Sequence, residues 1–510
     1  MSGGTSPAHA GSECLFAALA RRSPDAIVLQ GTRQTWRAAE LLSAVDDLAA
    51  RIAGTRVLAV LAGNGPAWVI ADLAALRAGT VHLPLPDFFS QAQLAHAVEQ
   101  TGADSVLTDQ PERIARLNRG FAVVGKWNGL LLLQRLTEPV DLPPGTAKIS
   151  FTSGSTGAPK GACLSAVGLM ETASAVARRL AALPIDRHLA VLPLSLLLEN
   201  TAGIYAPLLR GAEILVPDLP TLGWQGMSGF DPAALQRAVA TAAPSSLILV
   251  PELLKLWALF LAASGQEGAA SLCYVAVGGA RVSPALLDQA RTQGLPAYQG
   301  YGLTECGSVV SLNCPGDEGG EGDDAGRPLD HVNVRIAEGE IVVGTHAFLG
   351  YVGDAAVVPS AAPAARREFA TGDLGRVDAD GHLHLSGRRK NLLITSYGRN
   401  IAPEWVESIL LAEPAIAQAL VFGDGRPWLS ALLVASPGID SGALAAAVQR
   451  SNHALPDYAR IARWHAAAPF TAQNGLATGN GRPIRAAISR HHAAELAALY
   501  SEEEASNVVL

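Results

Sequence analysis

ISFTSGSTGAPKGACLS, residues 149–165, is the most informative stretch of this chain. An apolar strand end runs into Thr152, Ser153, Gly154, Ser155, Thr156, Gly157, Pro159, Lys160 and Gly161. Backbone N–H groups in a glycine-rich turn converge on phosphate oxygens, because glycine permits the close approach. Ser and Thr hydroxyls add donors, and a lysine adds a point charge. A flexible linker has no reason to hold a lysine beside a rigid proline. This chain has only five lysines: Lys126, Lys148, Lys160, Lys255 and Lys390. The stretch also departs from the G-x-x-x-x-G-K-[ST] pattern of P-loop nucleotide hydrolases. Counted from Gly154, Pro159 stands at the second glycine and Gly161 at the Mg2+-binding hydroxyl. The phosphate geometry is therefore a different one.

Outward from this loop, short apolar runs alternate with longer amphipathic ones. RVLAVLA (56–62) reads as a buried strand, and WVIADLAALRAG (68–79) follows with helical spacing and a terminal glycine. The same alternation returns at SSLILV, LCYVAVGG and PALLDQARTQG. It predicts α/β architecture with doubly wound parallel sheets covered by helices. VNVRIAEGEIVVG and GRVDADGHLHLSG are short alternating strands with glycine and aspartate turns, closer to a small β-barrel subdomain or meander. A compact α+β stretch follows. The expected division is an N-terminal domain of residues 1–387 and a small C-terminal domain of residues 388–510.

Composition bounds the function. At 510 residues the chain has room for two to four domains. A net charge of -8 argues against a protein that coats nucleic acid. Hydrophobic residues make up 49% and charged ones 16%, enough for large cores. The N-terminus has no basic leader before an apolar core. The most apolar stretch, residues 247–264, is broken by Pro251, Glu252 and Lys255 and falls short of the ~20 residues a membrane span needs. Five cysteines without a C-x-x-C pair fit reduced thiols in a cytoplasmic protein.

The 149–165 loop closely resembles the phosphate loop of the adenylate-forming superfamily, and further motifs match in the same order. VAVGGARVSP (275–284) carries Gly278, Gly279 and Ala280, the turn that lies against adenine in that family. YQGYGLTECG (298–307) is highly specific. The resemblance implies that Tyr301 stacks on the adenine, Gln299 bonds its edge, Gly302 shapes the turn, Thr304 reaches the α-phosphate region and Glu305 helps hold Mg2+. An aromatic face suits a purine, and a hard carboxylate suits phosphate-bound Mg2+. FATGDLGRVDADGHLHLSGRRKN (369–391) supplies Asp373 for the ribose hydroxyls, Arg388 for the nucleotide and Lys390 at the family's hinge. SYGRNIAPEWVE (396–407) places Gly398 along the tunnel for a pantetheine arm. The implied cofactors are ATP, Mg2+ and CoA, or the phosphopantetheine of an acyl carrier protein.

Two departures matter. In LPLSLLLENTAGIYAPLLRGA (192–212), Leu196 stands where a histidine commonly follows, with Leu197 and Leu198 after it. The aspartate that holds an α-amino group in peptide-synthetase domains is missing too, and a buried amine without a counter-charge is costly. An apolar tail fits better, fatty acyl first and aryl as an alternative. Second, the family usually ends with an essential lysine, yet no lysine follows Lys390. NGLATGNGRPIRAAI (474–488) places Arg482 there, a planar fork instead of a compact ammonium. The expected activity is ATP-dependent activation of a carboxylic acid to an acyl-adenylate, then transfer to a thiol. The alternative is a binding or regulatory relative that has lost adenylation. It draws on the missing lysine and histidine, whereas Lys160, Thr304, Glu305, Asp373 and Arg388 all remain.

Overall fold

The computed structural model describes residues 11–152, 159–226, 229–317, 324–354, 366–479 and 481–501. Two large sheets build the N-terminal domain. In the eight-stranded sheet, Ser105–Thr108, Val57–Leu61, Val81–Pro84 and Thr146–Thr152 run parallel side by side. Every residue of Val57–Leu61 is buried, which explains its unbroken apolar sequence. The following helix, Pro66–Ala78, starts on a proline and stops at Gly79, whose φ of 67° is left-handed. All residues from Trp68 to Leu76 are buried, so this helix is core on every face.

The nine-stranded sheet has a parallel centre: Ile27–Gln30, Glu213–Leu215, Arg187–Leu189, Ser246–Leu249, Tyr274–Val277 and Ala297–Tyr301. The apolar 247–264 stretch divides between Ser246–Leu249 and the helix Pro251–Ser264, with the proline at the start of the helix. That helix buries Leu253, Leu254, Trp257, Ala258 and Leu261, a helical stripe against one core. No described helix is long and apolar enough to cross a membrane.

Of the barrel or meander expected after residue 327, the described residues form the open arrangement, a four-stranded antiparallel sheet. Its order is Asn333–Ala337, Glu340–Thr345, Arg367–Val377, Leu383–Arg388. The strand Phe348–Tyr351 leaves this set to pair with Lys160–Ser165 at the edge of the eight-stranded sheet, so the ring does not close. The smaller C-terminal domain has a three-stranded sheet, Ile416–Phe422, Leu429–Ala435 and Ile461–Ala466. The helices Pro403–Ala412 and Ser441–His453 belong with it, around a core that includes Val406, Leu410, Leu433 and Val448. All five cysteines are free thiols.

Candidate active site

Parallel strands bring loops together at their C-terminal ends, where open α/β sheets bind ligands. Tyr274–Val277 and Ala297–Tyr301 are neighbours, with Val277 opposite Gln299. The Gly278–Gly279–Ala280 turn therefore emerges beside Gly300 and Tyr301. A side chain at Gly278 would begin 3.7 Å from the Gly300 carbonyl oxygen and 3.6 Å from Leu198. The leucine run of the 192–212 segment thus abuts the turn expected at the nucleotide. Gln299 is buried. Gly302 has a steric reason: a Cβ there would lie 1.7 Å from the Ser308 carbonyl oxygen.

Asp373 sits in this region because Arg367–Val377 pairs with Leu383–Arg388, placing Asp373 opposite Arg388. The Tyr301 hydroxyl donates to Asp373 Oδ2 at 2.8 Å, and Arg388 Nε lies 2.9 Å from Oδ1. Both carboxylate oxygens are held, and each keeps a lone pair for a further donor, as a ribose diol requires. Burial first, then the Asp373 charge, pushes the Tyr301 phenol well above its usual value, so it stays a neutral donor.

A second group assembles around Thr304 and Glu305 in the short turn Thr304–Cys306. The Tyr351 hydroxyl donates to Glu305 Oε1 at 2.6 Å. Lys160 Nζ lies 5.5 Å from the centroid of the Tyr351 ring. Tyr351 was not among the residues singled out in the sequence. It enters because Phe348–Tyr351 pairs with Lys160–Ser165, setting Tyr351 opposite Ala162. Burial and then the Glu305 hydrogen bond raise its pKa, which keeps the phenol protonated. Glu305 retains its second oxygen for a cation. One hard carboxylate fits a Mg2+ ion that would bind together with phosphate.

Thr152 pairs with Lys160 across the base of the phosphate loop. Ser153, Gly154, Ser155, Thr156 and Gly157 lie outside the described residues. Arg482 comes from the C-terminal domain: its Nη2 donates to the Gly279 carbonyl. Thr478 braces the arginine's backbone, with Thr478 Oγ1 accepting from Arg482 N at 3.0 Å. The same loop presses on the N-terminal domain, since a Cβ at Gly479 would sit 2.7 Å from the Phe88 carbonyl oxygen. Crowding by protein lowers the Arg482 pKa; Glu252 opposes this and Arg388 adds to it, so all three charges share one neighbourhood. Lys390 lies in the exposed turn Arg389–Asn391, where burial and Arg388 lower its pKa and Asp373 and Glu404 raise it. Gly398 stands apart, at a left-handed turn with φ 72° and open space around it.

Residues 16–351 match the family model described as AMP-binding enzyme, and residues 390–504 match the AMP-binding enzyme C-terminal domain. The chain belongs to the AMP-binding enzyme family. Among this family member's relatives is feruloyl-CoA synthase of Amycolatopsis, 32% identical over 80% of this chain and 84% of the relative. The 2-succinylbenzoate–CoA ligase of Salmonella typhimurium is 30% identical over 79% and 81%. A long-chain-fatty-acid–CoA ligase of Mycobacterium bovis is 32% identical over 45% of this chain and 42% of the ligase. In fold, the AMP-binding enzyme matches o-succinylbenzoate CoA synthetase of Bacillus subtilis, solved with its acyl-adenylate, at a TM-score of 0.72. That match has 22% identity and covers 93% of this chain and 97% of the other.

Proposed function

We propose that this acid–thiol ligase activates an apolar carboxylic acid, a fatty acid first, with ATP and Mg2+, and then forms the CoA thioester. The observation that carries this reading is the leucine segment. Leu198 lies against the Gly278 turn, while Tyr301, Asp373 and Arg388 form a connected set at the neighbouring strand end. An apolar wall beside a nucleotide-shaped polar set suits a carboxylate whose remainder carries no charge.

In this reading Asp373 takes the ribose hydroxyls, Tyr301 presents its ring to the adenine, and Lys160 with residues 152–157 holds the outer phosphates. Glu305, oriented by Tyr351, holds Mg2+, and Thr304 meets the α-phosphate. Arg482 neutralises charge that develops as the carboxylate oxygen bonds to the α-phosphorus and pyrophosphate leaves. No protein nucleophile is required; the work is positioning and electrostatic stabilisation. The boundary at residues 387–388, with Lys390 as hinge, then lets the C-terminal domain turn and bring Gly398 to the pantetheine arm. CoA is the proposed acceptor, as the relatives that cover most of the chain are named for CoA thioester formation.

Aryl acids form the second reading, favoured by the feruloyl and succinylbenzoate relatives, which match far more of the chain than the fatty-acid ligase does. Carboxylate-dependent exchange of labelled pyrophosphate into ATP, over a panel of fatty, cinnamic and benzoic acids, separates the two. The fatty acids are expected to give the largest kcat/KM. Preference for a ring acid replaces the first reading with the second, and no exchange with any acid defeats both.

A further inference from the structure

Lys255 belongs to the N-terminal domain, yet its hydrogen bonds are to the C-terminal domain. It rises from the first turns of the Pro251–Ser264 helix. Its ammonium donates to three main-chain carbonyls: Leu411 O at 2.6 Å, Glu413 O at 2.7 Å and Ile416 O at 2.7 Å. Leu411 and Glu413 lie at the C-terminal end of the Pro403–Ala412 helix, where carbonyls lack partners within the helix and the dipole favours a cation, and Ile416 opens the strand that follows. A lysine has three protons to give, and here each has an acceptor. Burial draws its pKa down to about 8, while Glu413 and Glu252 pull it upward, so the group is charged at neutral pH.

One helical turn earlier, Glu252 lies within charge range of Arg482. The same helix thus meets the C-terminal domain twice, at the end of the Pro403–Ala412 helix and beside Arg482. Gly387 allows the close seating, since a Cβ there would fall 2.3 Å from the Ala402 Cβ. We propose that Lys255 is a positioning residue for adenylation: by capping the Pro403–Ala412 helix from the opposite domain, it seats the C-terminal domain so that Arg482 reaches the Gly279 turn. This rests on the proposed role of Arg482. The apolar stripe of the Pro251–Ser264 helix is built from other residues, Leu253, Leu254, Trp257, Ala258 and Leu261.

The test compares Lys255→Met and Lys255→Arg with the wild-type chain. Loss of a cation at a partly buried helix end is expected to lower occupancy of the seated pose, and with it pyrophosphate exchange, about tenfold. Thiolysis of supplied acyl-adenylate by CoA is expected to hold or rise, which a general loss of stability would not allow, and Lys255→Arg to recover part of the exchange. Trypsin is expected to cut faster at the exposed Arg388–Arg389–Lys390 segment of Lys255→Met. Unchanged exchange and cleavage, or exchange and thiolysis falling together, overturns the proposal. If the wild-type chain itself exchanges with no acid, the functional reading fails, and the cleavage rate alone still decides whether Lys255 seats the domain.

Discussion

Tyr351 illustrates what a single residue adds to a motif. Its phenol donates to Glu305 Oε1, and its ring lies near Lys160. It therefore links the carboxylate proposed to hold Mg2+ with the lysine proposed to hold phosphate. Removing the hydroxyl leaves the ring in place and frees Glu305 to turn. Tyr351→Phe is expected to weaken Mg2+ dependence or turnover by about ten- to a hundredfold, the usual effect of losing a partner that orients a metal ligand. A Mg2+ titration of pyrophosphate exchange checks this; a variant with wild-type Mg2+ response removes Tyr351 from the site. The motifs that gave Tyr301, Glu305, Asp373 and Arg388 were legible because each is a short, contiguous string. Tyr351 stands far from residue 305 in sequence, and only strand pairing unites them. Arg482 was legible by position, and the structure adds its reach to Gly279.

Among the elements, the strand Thr146–Thr152 carries more than the phosphate loop. Lys148 is fully buried on it and donates to Asp72 Oδ1 at 2.7 Å, to Tyr205 Oη at 2.9 Å and to Asn200 Oδ1. Asn200 Nδ2 and Tyr205 Oη donate in turn to Asp72 Oδ2, at 2.7 and 2.6 Å, and His82 Nδ1 lies 2.6 Å from Oδ1. Burial alone would raise the Asp72 pKa, but Lys148 and His82 outweigh it and hold the carboxyl well below the usual range. Asn200 and Tyr205 belong to the π-helix Glu199–Tyr205, which directly follows Leu198. Such helices often mark functional sites. The buried cluster thus ties the strand before the phosphate loop to the segment behind the leucine wall. Lys148→Met strands the Asp72 carboxylate and is expected to cost about 3–5 kcal/mol in chemical denaturation. Adding Asp72→Asn is expected to restore part of it; additive losses contradict the pairing. In sequence Lys148 was only one lysine in a count, because its partners come from distant segments. The parallel strands and their helices were legible from periodicity, whereas the choice between barrel and meander was not, because the destination of Phe348–Tyr351 is a matter of pairing rather than pattern.

At the scale of the whole molecule, the two domains meet where Arg482 enters the N-terminal site, where Gly479 packs on Phe88 and where Lys255 caps a helix of its partner domain. With a net charge of -8, the overall field opposes an anionic nucleotide. In the proposed reading Lys160, Arg388 and Arg482 offset it locally, and Arg482 comes from the C-terminal domain. We propose that this arginine serves adenylation at the position where the family resemblance implies a lysine. The most direct measurement compares both half-reactions in Arg482→Ala. Pyrophosphate exchange is expected to fall by about a hundredfold or more, on the scale of a displaced catalytic group, while thiolysis of supplied acyl-adenylate stays close to wild type. An equal loss in both half-reactions contradicts the role assigned to Arg482.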